Sequence, residues 1–454
     1  MTKQENNDNH HRPNVPPLRF RGFTAPWQRK RIDQLYEEGT ERGERGLLLS
    51  VSISSGVNVT DSFTKTRTVT DFSNYKVVHK GSIVYNTMRM WQGASGVSNY
   101  EGYVSPAYTV ANPLESVSST FFSYLLKNES LIHQFKINSQ GLCSDTWTLK
   151  FPEFGRMEIG IPSLAEQEKI GTFFRALDEL IAAREEELEK LRQMKAALLD
   201  AMFPNDAPVE RERERERERE RVTSATAHTL YDSLLDHTLQ AWDIVPTEPS
   251  TPHTPRLRFR GFTDPWQRMR LGDITEVIKR KNTELVTSRP LTISAQYGMI
   301  DQTEFFSKVI ASDDLRTYYL IERGEFAYNR SYSQDYPWGA IKRLDRYDNG
   351  ALSTLYTCFA LKGIESEFMV HYFETTKWYK QIQMIAAEGA RNHGLLNIPS
   401  SDFFDTYHTL PSSLAEQKQI GAFFRSQDEG IATATEQIDK LKRIKQACLK
   451  QMFV

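Results

Sequence analysis

Cysteine is scarce: three residues, Cys143, Cys358 and Cys448, stand far apart among 454, with no Cys-x-x-Cys pair. That spacing excludes a disulfide framework and a cysteine-based zinc site, and it suits a reducing compartment. No apolar run approaches the roughly 20 residues that a membrane span needs. The opening MTKQENNDNHHRPNVPP has no apolar core and does not read as a signal peptide. The expectation is a cytoplasmic protein with no membrane partner. There is no GxxxxGK[ST] loop for ATP and no His/Cys/Asp spacing of a metal site, so neither catalytic nor metal-binding residues are expected. Charge of one sign is also missing. The net charge is −2, which counts against a protein that binds nucleic acid unaided, although acidic helices can offset basic surfaces.

What the chain does contain, it contains twice. LRFRGFTAPWQR (Leu18–Arg29) returns as LRFRGFTDPWQR (Leu257–Arg268) with 11 of 12 positions identical. LAEQEKIGTFFRALDELI (Leu164–Ile181) returns as LAEQKQIGAFFRSQDEGI (Leu414–Ile431) with 12 of 18 identical. Between these anchors, Glu44–Phe151 and Val286–Phe403 share almost nothing obvious. Two constant frames carry two divergent inserts, as suits a protein that holds two different readers in one geometry.

Hydrophobic periodicity divides the chain further. Residues 1–16 read as a disordered tail. Residues 17–160 form a first globular unit with strand-like runs such as KVVHKGSIVYN and EGYVSPAYTV, and a helix in TFFSYLLKNESLIHQF. A long helix fills 161–206. Its positions 170, 174, 177, 181, 184, 188, 191, 195, 198 and 202 make a heptad seam that recurs from Ile420 to Met452. Two such helices most simply pair with each other; the alternative is two separate amphipathic helices, each on its own domain. Residues 207–254 read as a linker with six Glu-Arg pairs (Glu210–Arg221), a possible short helix in SLLDHTLQAW and an extended Pro-rich tether. Residues 255–410 form the second unit, with a helix from about Ser366 to Ala387, and a second long helix fills 411–454. The fold class expected is α+β: two similar globular domains separated by a pair of long antiparallel coiled-coil helices.

The paired frames, with IPSLAEQEKIGTFF and LPSSLAEQKQIGAFF opening the long helices, resemble the specificity subunit of Type I restriction-modification systems. Within the inserts, Gly81–Val110, Gly324–Leu344 and Gly389–Phe404 resemble target-recognition-domain sequence. The resemblance implies two target-recognition domains, each reading half of a bipartite site in double-stranded DNA. The helices between them would act as a ruler and as docking sites for methyltransferase (modification) subunits. It further implies that restriction/translocase subunits join, and that S-adenosylmethionine, ATP and Mg belong to the partners, with no cofactor in this chain. The missing glycine-rich S-adenosylmethionine turn and Asn/Asp-Pro-Pro-aromatic motif agree with a non-catalytic subunit. The Glu-Arg tract departs from the family pattern. A coiled-coil protein-interaction scaffold is the alternative, and a nuclease with its own active site a further one.

Base readout needs donors and acceptors that can enter a groove. The densest sets lie beside the two Tyr-Asn pairs. In the first half they are Asn86, Arg89, Gln92, Ser95, Ser98 and Asn99; in the second, Asn329, Arg330, Ser331, Ser333 and Gln334. Tyr85, Trp91, Tyr328, Tyr332, Tyr336 and Trp338 interleave with them, although Tyr85 and Tyr328 follow strand-like runs that equally suit inward packing. Lys65, Arg67, Lys342, Arg343 and Arg346 are the expected phosphate contacts. Arg391, Asn392 and His393 form another polar cluster, a loop or a contact. The constant RFRGF and PWQR motifs cannot vary with target and are assigned to frame packing or partner docking. Trp27 and Trp266 are their expected buried anchors, and Phe173–Phe174 and Phe423–Phe424 are assigned to the seam or a partner interface.

Overall fold

The computed structural model describes residues 14–43, 46–53, 55–60, 73–114, 117–143, 146–204, 228–247, 253–305, 314–333, 335–386 and 396–454. The chain forms two compact units. Unit 1 comprises residues 1–186 and 435–454, and unit 2 comprises 187–434.

Unit 1 contains β1 (Gln28–Arg31), β2 (Tyr36–Glu38), β3 (Leu49–Ser52), β4 (Gly56–Val59), β5 (Lys76–Val78), β6 (Ile83–Asn86), β7 (Ser95–Val97), β8 (Gly102–Val104) and β9 (Tyr108–Pro113). Then come α1 (Ser119–Leu125), α2 (Glu129–Asn138), α3 (Phe151–Gly155), β10 (Glu158–Ile161) and the start of α4 (Leu164–Met202). The single helix expected over Thr120–Phe135 is broken into α1 and α2. Asn128 interrupts it because its side-chain oxygen accepts from the Ser130 and Leu131 amides and caps α2.

An antiparallel sheet of order β2-β9-β6-β7 is the spine of the unit. Its strand β6 is buried along Ile83, Val84 and Tyr85 because it serves two cores. Ile83 and Tyr85 face the helices, Trp27 and Phe154. Val84 faces a smaller core with Leu49, Val57, Val78 and Val104. A strand covered on both faces reads as an unbroken apolar run rather than an alternating one.

Unit 2 repeats this plan. After α5 (His228–Ala241) come β11 (Ile244–Pro246), β12 (Leu257–Phe259), β13 (Gln267–Arg270), β14 (Thr275–Val277), β15 (Pro290–Ser294), β16 (Gly298–Asp301), α6 (Gln302–Phe305), β17 (Tyr319–Glu322), β18 (Phe326–Asn329), β19 (Ala340–Arg343), β20 (Asn349–Leu352) and β21 (Thr357–Leu361). The unit closes with α7 (Ser366–Glu374), α8 (Tyr379–Ile385), α9 (Ser400–Phe404), β22 (Tyr407–Leu410) and the start of α10 (Leu414–Gln451). Its sheet β14-β21-β18-β19 matches the spine of unit 1 strand for strand. Phe326 and Tyr328 of β18 join the helical core and Ala327 joins the second one, as in β6. The inserts that share almost no sequence therefore share a sheet. The second layer differs: unit 2 builds a four-stranded sheet, β16-β15-β20-β17, where unit 1 has the separate pairs β3-β4 and β5-β8.

Two expectations are corrected. The helix expected over Ser366–Ala387 is two helices, split where the Thr375 hydroxyl donates to the Tyr372 carbonyl. Part of the expected 207–254 linker is folded: the short helix expected in SLLDHTLQAW falls within α5, β11 pairs with β12, and Trp242, just after α5, meets Phe423 edge-on at 5.2 Å. The Glu-Arg tract lies outside the described residues.

The long helices, 39 and 38 residues, appear where the heptad placed them. Each is shared between the units. α4 starts in unit 1 and ends in unit 2, and α10 does the reverse. Within unit 1 they run antiparallel, with Asp178 paired to Lys445 at 2.5 Å and Glu185 to Lys442 at 2.7 Å. Within unit 2, Lys195 of α4 meets Asp428 of α10 at 2.6 Å.

The helix ends are buried in cores. Phe453 packs against Phe121 (5.4 Å), Phe174 (5.8 Å) and Trp27 (6.5 Å). Its counterpart Phe203 packs against Phe368 (5.4 Å), Phe424 (5.9 Å) and Trp266 (6.1 Å). The segment that completes each core thus comes from the far end of the other repeat's helix. Phe453→Ala and Phe203→Ala should each cost about 3–5 kcal/mol in denaturant unfolding. Hydrogen exchange should show the first loosening unit 1 and the second unit 2; the opposite assignment would contradict the shared-helix arrangement.

Candidate nucleic-acid interface and its frame

The constant motifs meet each other. In unit 1, Arg19 of the opening motif makes a two-pronged ion pair with Glu166 of α4: Nε to Oε1 and a terminal nitrogen to Oε2, both at 2.6 Å. The Trp27 indole N–H donates to the same carboxylate at 3.4 Å, and Arg19 also donates to the Ala25 carbonyl. Unit 2 repeats every bond. Arg258 binds Glu416 at 2.6 and 2.9 Å, Trp266 donates to Glu416 at 3.2 Å, and Arg258 donates to the Asp264 carbonyl. Glu166 and Glu416 are each 1% exposed.

The next residue secures another element. Gln167 accepts from the Ser118 amide at the start of α1 and donates to the Pro162 carbonyl. Gln417 accepts from the Glu365 amide at the start of α7 and donates to the Pro411 carbonyl. One turn on, a Cβ added at Gly171 would lie 2.9 Å from the Phe121 amide nitrogen, and one at Gly421 would lie 2.8 Å from that of Phe368. Only glycine lets these helices approach so closely. The Glu-Gln-x-x-Ile-Gly motif is therefore a packing motif: its Glu takes the opening motif, its Gln takes the insert's helix, and its Gly lets that helix dock. Trp27 and Trp266 are buried anchors, as expected. Phe174 and Phe424 lie in the cores, Phe423 beneath Trp242, and Phe173 half-buried against Phe20 at 5.7 Å.

The turn between β6 and β7 leaves part of the expected set exposed. Arg89 and Gln92 are exposed at either end of a 3-10 turn, Asn86 is half-buried with its side-chain oxygen accepting from the Met88 amide, and Asn99 is exposed nearby. Trp91 packs edge-on against Trp147 at 5.3 Å. Ser95 and Ser98 are corrected: both are buried in or beside β7, and the Ser98 hydroxyl is bonded to the Tyr100 backbone. Tyr85 is also interior, 5.0 Å from the Phe154 ring. Lys65 and Arg67 lie outside the described residues.

In the second turn the cations have other work. The Arg330 guanidinium donates to the carbonyls of Ile398 (2.8 Å) and Leu355 (2.9 Å), so it clamps backbone instead of reaching outward. Arg343 is held by Asp345, Ser366 and Glu367. Arg346 pairs with Glu304 at 3.1 Å. Lys342 is half-buried, its pKa lowered by burial, and it lines a 260 Å³ cavity with Gln296, Tyr336, Glu374, Trp378 and Tyr379. Arg343 and Lys342, expected as phosphate contacts, are thus half-buried, with Arg343 held by protein partners. Asn329 is half-buried, donating to the Ile293 carbonyl and accepting from the Ser331 amide. Ser331, Tyr332 and Ser333 are exposed, Tyr336 and Trp338 are half-buried, and Tyr328 is interior against Phe403 at 4.9 Å. Gln334 and the Arg391, Asn392, His393 cluster lie outside the described residues.

One cluster was invisible to spacing. His371, Glu374 and Asp428 bring three metal-type ligands together in unit 2. Lys195 puts its ammonium 2.8 Å from Glu374 and 2.6 Å from Asp428, so a protein cation already stands where a metal would. Burial acts to raise the Glu374 pKa, but His371 and Lys195 outweigh it and hold the carboxyl at about 2. In the matching place of unit 1, Tyr124 donates to Asp178, which Lys445 neutralises.

Residues 49–193 match the family model of the Type I restriction modification DNA specificity domain. The chain is similar in fold to the S subunit of the Type-I restriction-modification system from M. genitalium, at 14% identity over 97% of this chain and 99% of that one, with a TM-score of 0.50. The HsdS subunit from Thermoanaerobacter tengcongensis aligns at 14% identity over 94% and 96% of the two chains, with a TM-score of 0.45. No curated protein matches the sequence. Among the described residues, no helix is long and apolar enough to cross a membrane.

Removing one partner of a buried ion pair strands the other charge, at a cost of about 3–5 kcal/mol. Glu166→Gln and Glu416→Gln should each lose about that much in urea unfolding, whereas Glu168→Gln, exposed on the same helix, should change little. Equal small effects at all three positions would show that the ion pairs do not hold the frame.

Proposed function

We propose that this chain is the DNA-specificity subunit of a Type I restriction-modification enzyme. Each unit presents one target-recognition domain, and each domain reads one half of a bipartite site in double-stranded DNA. The observation that carries this reading is the doubled frame. The same Arg-Glu-Trp lock, Gln bond and glycine contact hold the same spine sheet in both units, while the turns at the end of that sheet differ in residue and in charge. Constant parts suit partners that are the same at both ends, and divergent turns suit two different half-sites.

In this role the chain supplies binding energy and geometry and carries no catalytic group. S-adenosylmethionine, ATP and Mg are bound by modification and restriction/translocase subunits in the cytoplasm. Extrusion of the target adenine falls to the methyltransferase partners. Exposed Arg89 and Gln92, with Asn86, are the best-placed readers of the first half-site, and Ser331, Tyr332 and Ser333 mark the second reading turn. In this reading the pair of long helices, 39 and 38 residues, sets the half-site spacing.

A coiled-coil scaffold whose variable domains bind proteins is the second reading. Its discriminating property is the lack of salt-sensitive, sequence-dependent DNA binding. The test is an exchange of residues 44–150 for the matching segment of another family member, followed by sequencing of methylated adenines in cells that hold the modification subunit. One half of the methylated motif should change and the other stay. An unchanged motif, or changes in both halves, would refute one domain per half-site.

A further inference from the structure

Between α1 and α2, Lys127 is half-buried and sends its ammonium away from solvent. It donates to three backbone carbonyls: Ser95 at 2.9 Å, Gly93 at 3.0 Å and Ile53 at 3.1 Å. An ammonium has three N–H donors, and all three are used. The acceptors come from two separate loops. Gly93 and Ser95 belong to the turn after β6, whose ends are closed by the Asn86 amide on the Ala94 carbonyl and the Ala94 amide on the Arg89 carbonyl. Ile53 belongs to the β3–β4 hairpin. That hairpin lies so close to β7 that a Cβ on Gly96 would come within 2.9 Å of the Gly56 Cα. The neighbouring residue Asn128 donates to the Leu449 carbonyl of α10 at 3.1 Å while capping α2. No carboxylate pairs with Lys127 among the described residues. The charged group that acts on it is Lys445 of α10, itself paired with Asp178.

We propose that Lys127 is the positioning residue of the first reading surface, holding the turn that carries Arg89 and Gln92, and the adjacent hairpin, in one arrangement relative to the end of α10. The inference rests on the specificity-subunit reading and adds to it the residue that sets the shape of one half-site reader. Arg330 plays the comparable part in unit 2, where its guanidinium also clamps two carbonyls from separate loops.

The Lys127 clamp responds to pH. Burial, aided by the Lys445 charge, pushes the Lys127 pKa down to about 8 from the ordinary 10.5. Above pH 8 the neutral amine keeps two donors and one carbonyl loses its partner, so the reading turn loosens. Global stability moves the other way. The unfolded chain holds this proton up to about pH 10.5, so between pH 8 and 10.5 it binds more protons than the folded chain, and this titration favours folding as pH rises. A positioning role therefore separates from a merely structural one: recognition falls while this group's contribution to stability does not.

The experiment uses the complex with its methyltransferase subunits and duplexes bearing the methylated site, or single base-pair changes in either half. The first half is the one that responds to exchange of residues 44–150. Between pH 7 and 9.5, discrimination against first-half changes should fall by about tenfold, the scale of one good base contact, while second-half discrimination holds. Lys127→Met should show the reduced first-half discrimination already at pH 7, with no further fall on raising pH. Unchanged discrimination in Lys127→Met, or equal loss at both halves, would overturn the inference. Should Lys127→Met not fold, the pH series on the unaltered complex decides, because equal titration of both halves contradicts a role confined to the first. A wild-type complex that binds no split site would instead overturn the specificity-subunit reading itself.

Discussion

A buried carboxylate at the first turn of each long helix organises everything around it. Glu166 and Glu416 each take both prongs of an arginine and an indole N–H from a motif well over a hundred residues away in sequence. A buried ion pair contributes little net stability compared with a well-packed apolar substitute, but it tolerates only one partner and one geometry. Here that selectivity fixes where the opening segment crosses the helix. The adjoining Gln and Gly then fix where the insert's own helix docks. With these three contacts set, the spine sheet stands in the same relation to the helix in both units, and its far end is left free to vary.

The helices carry that constraint further. Each begins in one unit and ends in the core of the other, where Phe203 or Phe453 fills the space beside the tryptophan of the lock. Unit 1 completes its core from two stretches of chain, 1–186 and 435–454, whereas unit 2 is the single stretch 187–434. The electrostatics beneath the turns after β6 and β18 are not copies: Lys127 and Arg330 clamp backbone with different groups, and the His371 cluster of unit 2 replaces a tyrosine in unit 1.

Much of the frame was legible because repetition exposes constraint. The duplicated motifs marked the anchors, the tryptophans read as buried, and the 3.5-residue period placed both long helices. The Arg-Glu pairing was present in the repeat but undetectable, since nothing in a sequence says which Arg meets which Glu across such a distance. The recurrence of Met-Phe at 202–203 and 452–453 was an available signal that the heptad reading absorbed as seam. The candidate readers were less legible. Composition near the Tyr-Asn pairs singled out two turns, and burial sorts the residues within them: Ser95 and Ser98 pack inward, Arg330 and Arg343 bind protein, and Arg89 and Gln92 remain outward. A polar residue beside a strand end has no sequence mark that tells a groove contact from a backbone clamp.

The most direct test of the central claim is sequencing of modified bases in the host genome with this gene intact and with it deleted. Loss of adenine methylation at one split motif, with all other methylated motifs retained, is the predicted result and would read out both half-sites at once. An unchanged methylome, with a partner methyltransferase expressed and active, would contradict the assignment of the two units as DNA readers.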